Sequence, residues 1–290
     1  MLRRPWSARR LHAETAALLR GAGERLRGRD VALIAAGLTF YAGIAVVPLF
    51  LVAFCLTALV TSSGRVDELS ARLADLLPPE LGAPEALRAL AEAGVGLELV
   101  DFVLALFPLS FYGEGLRRAL LRFTPHRDTL TSWRGRLLVL PLALATPLLL
   151  YPLLLAAAAM VELEEQGSWL GSLAVGYYSV LFTLTVPLFW GFGVVAAGRL
   201  RWPALVSGVL FTAACLSGFL QGFTIFLALP LPLGAPFGGL TAVGAVVAIA
   251  LWLFLLHLVV IVCWLLTQAL DDRLRRGDQP PGRPPESGRP

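Results

Sequence analysis

Apolar residues along this chain fall into six long runs, and short segments that carry most of the charged residues separate them. The first run, 31–60, contains no charged residue and exceeds the roughly 20 residues that a helix needs to cross a bilayer. The six predicted membrane spans are 31–60, 97–112, 137–161, 173–197, 203–229 and 237–266. This pattern predicts an all-α fold, a polytopic membrane helix bundle of about six transmembrane helices.

The second predicted span, 97–112, is short and contains Glu98 and Asp101. The charges on its two sides support it nevertheless. The segment before it, 61–96, is rich in carboxylates, whereas the segment after it, 113–136, carries six Arg. Loops of opposite charge on the two sides of an apolar run favour a crossing between them.

The chain outside the spans suggests three regions. Residues 1–30 predict a basic, partly amphipathic helical segment on the cytoplasmic side, which could lie on the membrane surface. Residues 31–270 form the membrane domain, with two short amphipathic helices expected around the Pro78-Pro79 pair in the loop after the first span. Residues 271–290 turn polar and rich in Pro and Gly, which predicts a disordered cytoplasmic tail.

The composition excludes a soluble protein. Hydrophobic residues make up 57% of the chain and charged residues only 15%, against about 25% in soluble domains. A soluble chain of this composition would expose large apolar patches. The Arg residues lie in short segments between spans rather than on a basic soluble domain, so no nucleic-acid partner is expected. Membrane lipids, with anionic lipids among them, are the expected partners.

The distribution of Arg predicts the orientation. The chain has 24 basic residues, all of them Arg, and 21 of these lie in segments on one side of the predicted bundle. Cytoplasmic loops carry the excess of positive residues. The sequence therefore predicts a multi-pass membrane protein with both termini in the cytoplasm.

No constellation of residues indicates a metal site or catalysis. Cys55, Cys215 and Cys263 lie far apart within apolar runs, which predicts neither a disulfide nor a zinc site. The three His are equally scattered, whereas metal-dependent hydrolysis needs clustered ligands. We therefore expect no enzyme activity, no catalytic residue, no metal and no cofactor.

Five residues within the spans are candidates for a cavity or substrate path: Tyr41, Pro48, Asp101, Gln221 and His257. For each of them a structural role is the alternative. His257 could relay protons or be a neutral residue bonded to a neighbouring helix. Asp101 could face a cavity or reach outer water, and Pro48 could open a site or only kink its helix. Gln221 could line a cavity or bridge helices, beside the small pair Gly218 and Gly222, which favours close helix packing.

Three basic residues follow the second span on one side of a helical extension: Arg117, Arg118 and Arg122. Arginines at this position could bind anionic lipid headgroups or an anionic substrate. The alternative is that they only fix the orientation of the chain. Glu114 lies four residues before Arg118, the spacing and order of a stabilising helical ion pair.

Several short segments, by their order and spacing across the six spans, are similar to those of a known family. They are residues 35–41 (AAGLTFY), 47–49 (VPL), 116–120 (LRRAL), 237–240 (FGGL) and 251–253 (LWL), continuing to Gln268. The chain resembles the YihY/BrkB family of bacterial inner-membrane proteins, once labelled ribonuclease BN, over about residues 28–272. The resemblance implies a multi-pass membrane protein with transport-like or envelope-related roles. Where members often carry an acid near the end of the last span this chain has Gln268, with Asp271 and Asp272 just beyond.

Two functions stay open on the sequence. The first is a transporter or flippase-like protein for an anionic solute or lipid, because six spans, several prolines and few polar residues suit a transport path. No nucleotide-binding loop GxxxxGK[ST] occurs, so movement would be passive or driven by an ion gradient. The alternative is a non-catalytic envelope-biogenesis or scaffold membrane protein that acts through partners.

Overall fold

A computed structural model of the chain describes residues 8–77, 82–124, 132–196, 200–227, 229 and 231–277. Within these ranges it is helical without strands. The α-helices are α1 Ala8–Leu26, α2 Val31–Val60, α3 Ser63–Asp75, α4 Ala83–Val95, α5 Leu99–Leu121, α6 Ser132–Leu137, α7 Leu140–Glu165, α8 Trp169–Trp190, α9 Trp202–Leu227 and α10 Thr241–Gly277. A π-helical turn, Gly191–Val195, extends α8, and a short 3-10 turn, Ala235–Phe237, precedes α10. Arg127, Pro78, Pro79 and the predicted tail from 278 onward lie outside the described residues.

Six of the described helical segments are long and apolar enough to cross a membrane, which confirms the predicted fold class. They are Val31–Val60, Leu99–Leu121, Gly135–Glu165, Trp169–Val195, Trp202–Leu227 and Thr241–Arg276. Helix α2 packs against α4, α5, α7 and α10. The long helices α2, α7, α8, α9 and α10 form a closed ring, in which each packs against the next and α10 returns to α2, and α5 packs beside α2.

Side-chain capping explains where α2 and α3 begin. The Asp30 carboxylate accepts a hydrogen bond from the Leu33 N–H at 3.0 Å and caps α2. The Ser62 hydroxyl accepts one from the Arg65 N–H at 3.3 Å and caps α3. The helices α3 and α4 are the two short helices predicted in this loop. Their apolar sides pack over Phe54 and Leu154 and close one end of the bundle, here called the hairpin end.

The opposite end of the bundle is built around Trp264 of α10. This ring is fully buried, donates a hydrogen bond to the Leu120 carbonyl at 3.2 Å and packs against Phe192. Helix α1 joins the same cluster through Ala22. We call this the terminal end, because α1 and the last turns of α10 meet there.

Several helix boundaries differ from the sequence prediction, and two of them show the physical reason. The second span was predicted to end at 112, but α5 continues to Leu121 because the charges that follow are paired within the helix, Glu114 with Arg117 and Arg118. The tail was predicted to be disordered from 271, but α10 continues to Gly277. Within these last turns, Nε of Arg275 lies 2.7 Å from Oδ2 of Asp271, and the two side chains form an ion pair. Hydropathy alone predicts that the apolar span ends where charged residues begin. Oppositely charged residues four positions apart nevertheless stabilise a helix, so the helix continues through them.

Candidate functional site

The terminal end contains a cleft of about 440 Å³ between α2, α5 and α6. Its lining residues come from both sides of the α2–α5 contact and from the segment before α7. They are Leu33, Ile34, Gly37, Leu38, Tyr41, Phe111, Glu114, Gly115, Arg118, Ala119, Arg122 and Arg136. We call it the basic cleft, because three arginines and one carboxylate line it.

A buried ion pair forms the floor of the basic cleft. Arg117 donates two hydrogen bonds to Glu114, from Nε to Oε2 at 2.8 Å and from Nη2 to Oε1 at 2.9 Å. Both side chains are almost completely buried. Gly135 covers the pair, and a Cβ there would lie 2.8 Å from Cζ of Arg117. Burying two charges away from water costs free energy, and their attraction offsets that cost only when both groups are fully hydrogen-bonded, as they are here.

The remaining arginines of the cleft are accessible. Arg118 donates from Nε to Glu114 at 2.7 Å, and its side chain is 61% exposed. Arg122 is exposed in the next turn. The Arg136 guanidinium lies over the Phe111 ring at 4.4 Å, and its buried Nε has no hydrogen-bond partner. Since Arg117 already balances Glu114, the cleft keeps an excess of positive charge.

A second cavity, of about 400 Å³, lies beyond the basic cleft among α2, α5, α7, α8 and α10. Its lining is almost wholly apolar and consists of Ala42, Ala45, Val46, Leu49, Phe50, Ala53, Leu109, Tyr112, Val139, Leu142, Ala143, Thr146, Leu149, Leu150, Leu153, Thr183, Pro187 and Leu253. We call it the apolar cavity. The Thr146 hydroxyl donates to the Ala143 carbonyl at 2.7 Å, so it does not make the lining polar.

His257 lies next to the wall of the apolar cavity. Its Nδ1 is 2.7 Å from the Leu253 carbonyl, which can only accept, so Nδ1 carries the proton of the neutral ring. Its Nε2 then accepts from the Tyr112 hydroxyl at 3.3 Å, and Thr39 of α2 lies 3.4 Å from Nδ1. The geometry is that of a neutral histidine joining three helices.

The structure brings together only some of the candidate residues. Tyr41, Arg118 and Arg122 line the basic cleft, and Gly115 makes room for the Tyr41 ring, since a Cβ there would be 2.6 Å from Cδ2. Arg117 lies below the cleft and is buried against Glu114. It therefore does not line the cleft as a contact for the ligand, the role that the sequence predicted for it, and instead holds the Glu114 carboxylate in place.

The other candidates lie outside both cavities. Asp101 is exposed in the first turn of α5, and Pro48 is half-buried in α2 without lining either cavity. The Gln221 amide donates from Nε2 to the Leu173 carbonyl at 2.9 Å and bridges α9 and α8.

The close helix packing expected at Gly218 is absent, since no atom lies within 4 Å of a Cβ built there. The close approach of α9 and α10 is instead at Gly208, which lies against Thr267.

The sequence analysis did not single out Phe111 and Tyr112. Neither carries a charge, and both lie in an apolar run where helical aromatics usually only pack. The available signal was spacing and residue type: both lie within one turn of Glu114, and Tyr112 is the one tyrosine of the run.

The end of the last span is bound to α1. Arg25 donates from Nη1 to Gln268 Oε1 at 2.9 Å and pairs with Asp272. Asp271 accepts from the backbone N–H of Arg201 at 2.7 Å. Gln268 thus occupies the centre of a polar junction between α1 and α10, with Asp271 joining α10 to the start of α9.

Fold and site define the class: a multi-pass α-helical membrane protein with a basic cleft at one end of its bundle. A family model described as "Virulence factor BrkB" matches residues 22–287, and the chain belongs to this family, as its sequence resemblance predicted. No curated protein and no solved structure matches the chain.

Proposed function

We propose that this protein moves an anionic substrate across the bacterial inner membrane, with its N- and C-termini in the cytoplasm. The observation that carries the proposal is the basic cleft, an accessible recess of three arginines within a membrane bundle. In this orientation the cleft opens toward the cytoplasm, on the side where 21 of the 24 Arg lie.

The charges of the cleft favour an anion. Arg118, Arg122 and Arg136 face it, and its one carboxylate, Glu114, is held by Arg117. Guanidinium groups bind phosphate and carboxylate oxygens with charge-assisted hydrogen bonds. No carboxylate among the described residues lies within salt-bridge distance of Arg122 or Arg136, so both are available to a ligand.

Prolines within the surrounding helices support movement rather than a fixed binding site. They lie inside continuous helices that line the cleft and the cavity: Pro48 in α2, Pro108 in α5, Pro147 and Pro152 in α7, and Pro187 in α8. Each proline removes one helical hydrogen bond. A helix bends more easily at such a position, which suits the rearrangement that transport requires. The proposal involves no chemical step and no cofactor.

A vesicle assay tests the proposal. The purified protein is reconstituted in phosphatidylcholine vesicles, and entry of radiolabelled phosphate and of glycerol 3-phosphate is measured beside dithionite bleaching of fluorescent phosphatidylglycerol. At least one of these anions should cross faster than in protein-free vesicles. The double change Arg122→Gln with Arg136→Gln should lower that rate about tenfold, since hydrogen bonds to charged groups contribute about 1.5 kcal/mol or more.

Arg20→Gln is the matched control, because Arg20 is exposed on α1 outside the cleft. It removes one positive charge, as does each of the single changes Arg122→Gln and Arg136→Gln measured beside it, and it should leave the rate unchanged. Equal losses in the control and the double variant would point to net charge instead of the cleft. If no anion crosses faster than in empty vesicles, transport is excluded for these classes.

A scaffold role is the second candidate, and the hairpin end favours it. The exposed faces of α3 and α4 carry Asp67, Glu68, Glu85 and Glu92. In the proposed orientation they face away from the cytoplasm. Because Glu68 is paired with Arg65 and Arg72, the acidic surface offered to a partner consists of Asp67, Glu85 and Glu92. Cross-linking in cells that recovers one constant partner through this hairpin, together with absent transport, would support it.

A further inference from the structure

The basic cleft and the apolar cavity are stacked along the same three chain segments. On α2 the cleft lining ends at Tyr41 and the cavity lining begins at Ala42. On α5, which runs in the opposite sense between the two ends of the bundle, Phe111 lines the cleft and Leu109 the cavity. Before α7, Arg136 lines the cleft and Val139, one turn on, lines the cavity. The arginines therefore lie at the terminal end and the apolar space deeper in the bundle.

This order matches the two parts of an anionic lipid. We propose that the substrate class is an anionic glycerophospholipid, whose phosphate headgroup binds in the basic cleft while an acyl chain occupies the apolar cavity. The inference rests on the proposed function, and it selects lipids over soluble anions such as free phosphate.

The energetics of the two cavities agree with this choice. A chain that enters from the bilayer exchanges one apolar environment for another, so its transfer into the cavity is nearly neutral. The headgroup gains charge-assisted hydrogen bonds from Arg122 and Arg136. A soluble anion would bind the arginines of the basic cleft only, and its binding would not account for the apolar cavity beside them.

The polar groups near the cavity do not contradict an acyl chain there. The Tyr112 hydroxyl is directed to His257 and the Thr146 hydroxyl to its own helix. A chain would therefore contact methyl and ring carbons over nearly all of the lining. Ala42, Ala45 and Ala143 keep the side chains short on two facing helices, which leaves the space open.

Photolabelling tests the inference without requiring transport. The full-length protein is reconstituted with phosphatidylglycerol that carries a diazirine in one acyl chain, and the labelled residues are mapped by mass spectrometry. Ala143 and Leu150 line the cavity, while Leu144 and Leu148 of the same helix point outward and are 70% and 71% exposed. Phosphatidylcholine with the same labelled chain is the headgroup control.

The inference expects phosphatidylglycerol to label Ala143 and Leu150 at least about fivefold more than phosphatidylcholine does, since one guanidinium near an anionic headgroup contributes about 1 kcal/mol. Leu144 and Leu148 should be labelled equally by both lipids. The pair Arg122→Gln with Arg136→Gln should remove the preference, and Arg20→Gln should keep it. Ala143→Phe, which fills the cavity, should lower labelling of Leu150 by phosphatidylglycerol.

Equal labelling by the two lipids, or labelling confined to Leu144 and Leu148, would overturn the inference. So would displacement of the arginine-dependent label by inorganic phosphate at low concentration, which would indicate a soluble anion. The arginine variants and the headgroup comparison test the inference separately, so the test does not depend on whether Ala143→Phe folds. Cavity labelling without vesicle transport would refute the proposed function alone, and transport of a soluble anion without labelling would refute this inference alone.

Discussion

The hydroxyl of Tyr112 on α5 lies 3.3 Å from Nε2 of His257 on α10, deep in the membrane bundle. The other ring nitrogen is bonded to Leu253, so both nitrogens of a neutral ring have partners. His257 is thereby fixed between the helices that enclose the apolar cavity. The arrangement supports the structural alternative for this histidine and leaves the cavity wall apolar.

Tyr112→Phe should destabilise the protein by about 0.6 kcal/mol, the average measured for hydrogen bonds between membrane helices, and by no more than about 1.7 kcal/mol, the maximum. It removes the donor to His257 and leaves a buried acceptor without a partner. Unfolding titrations in mixed micelles measure this. Tyr178→Phe is the control, because the Tyr178 ring is exposed on α8. Equal effects of the two changes would show that the Tyr112 bond adds nothing.

Gly135→Ala should lower the free energy of unfolding by about 3 kcal/mol. The added Cβ would overlap the buried Glu114–Arg117 pair, and breaking a buried pair costs this much. Gly218→Ala, in a helix with open space around the position, should leave stability unchanged or raise it by up to about 1 kcal/mol. The same titrations compare the two, and a harmless Gly135→Ala would mean that the pair can move aside.

Gln268→Glu should stabilise the junction between α1 and α10 by about 1 kcal/mol. Gln268 Nε2 is buried without a partner, while Oε1 accepts from Arg25. A carboxylate replaces the unpartnered donor with a second acceptor beside a guanidinium, which gives a charge-assisted bond. Thermal unfolding and limited proteolysis of α1 measure the gain. Arg25→Gln in the same background should reverse it, and a lower melting temperature of Gln268→Glu would contradict the argument.

Glu68 should make a pH-dependent contribution at the hairpin end. The Arg65 guanidinium donates to it at 2.8 Å and lowers the pKa of this carboxyl below its ordinary value of 4.5. Because the folded-state pKa is depressed, the stabilisation is present above pH 4.5 and is lost as the pH falls through the folded-state value. Melting temperatures of the protein and of Glu68→Gln should converge on acidification. A constant difference down to pH 3 would contradict this.

The orientation can be read by cysteine labelling in intact cells. In a background with Cys55, Cys215 and Cys263 replaced by Ala, Ser63→Cys at the start of α3 should react with a membrane-impermeant maleimide. Arg20→Cys on α1 should react only after the cells are permeabilised, because an excess of positive residues favours the cytoplasmic side. The reverse pattern would invert the proposed topology and place the basic cleft on the outside.

The candidate site was only partly predictable, and particular residues show why. Arg118 and Arg122 are visible because charges next to an apolar run stand out, and Tyr41 lies in a segment shared with the family. Arg117 has the same signal as Arg118, yet it is buried, since the direction of each side chain depends on where α6 packs. Gly218 and Gly208 lie on the same helix, and only the neighbour Thr267 makes Gly208 the close contact.

The sequence by itself determined the class of the protein. Backbone groups in a bilayer must be satisfied within a helix, so long uncharged runs specify membrane helices whatever their neighbours are. The distribution of Arg predicts an orientation for the same local reason. Tertiary structure decided which residues meet: that Arg136 joins Tyr41 and Arg118, that Tyr112 bonds His257, and that an apolar cavity lies next to the arginines. Periodicity specifies one face of one helix, whereas a cavity depends on the packing of several helices that are distant in the chain.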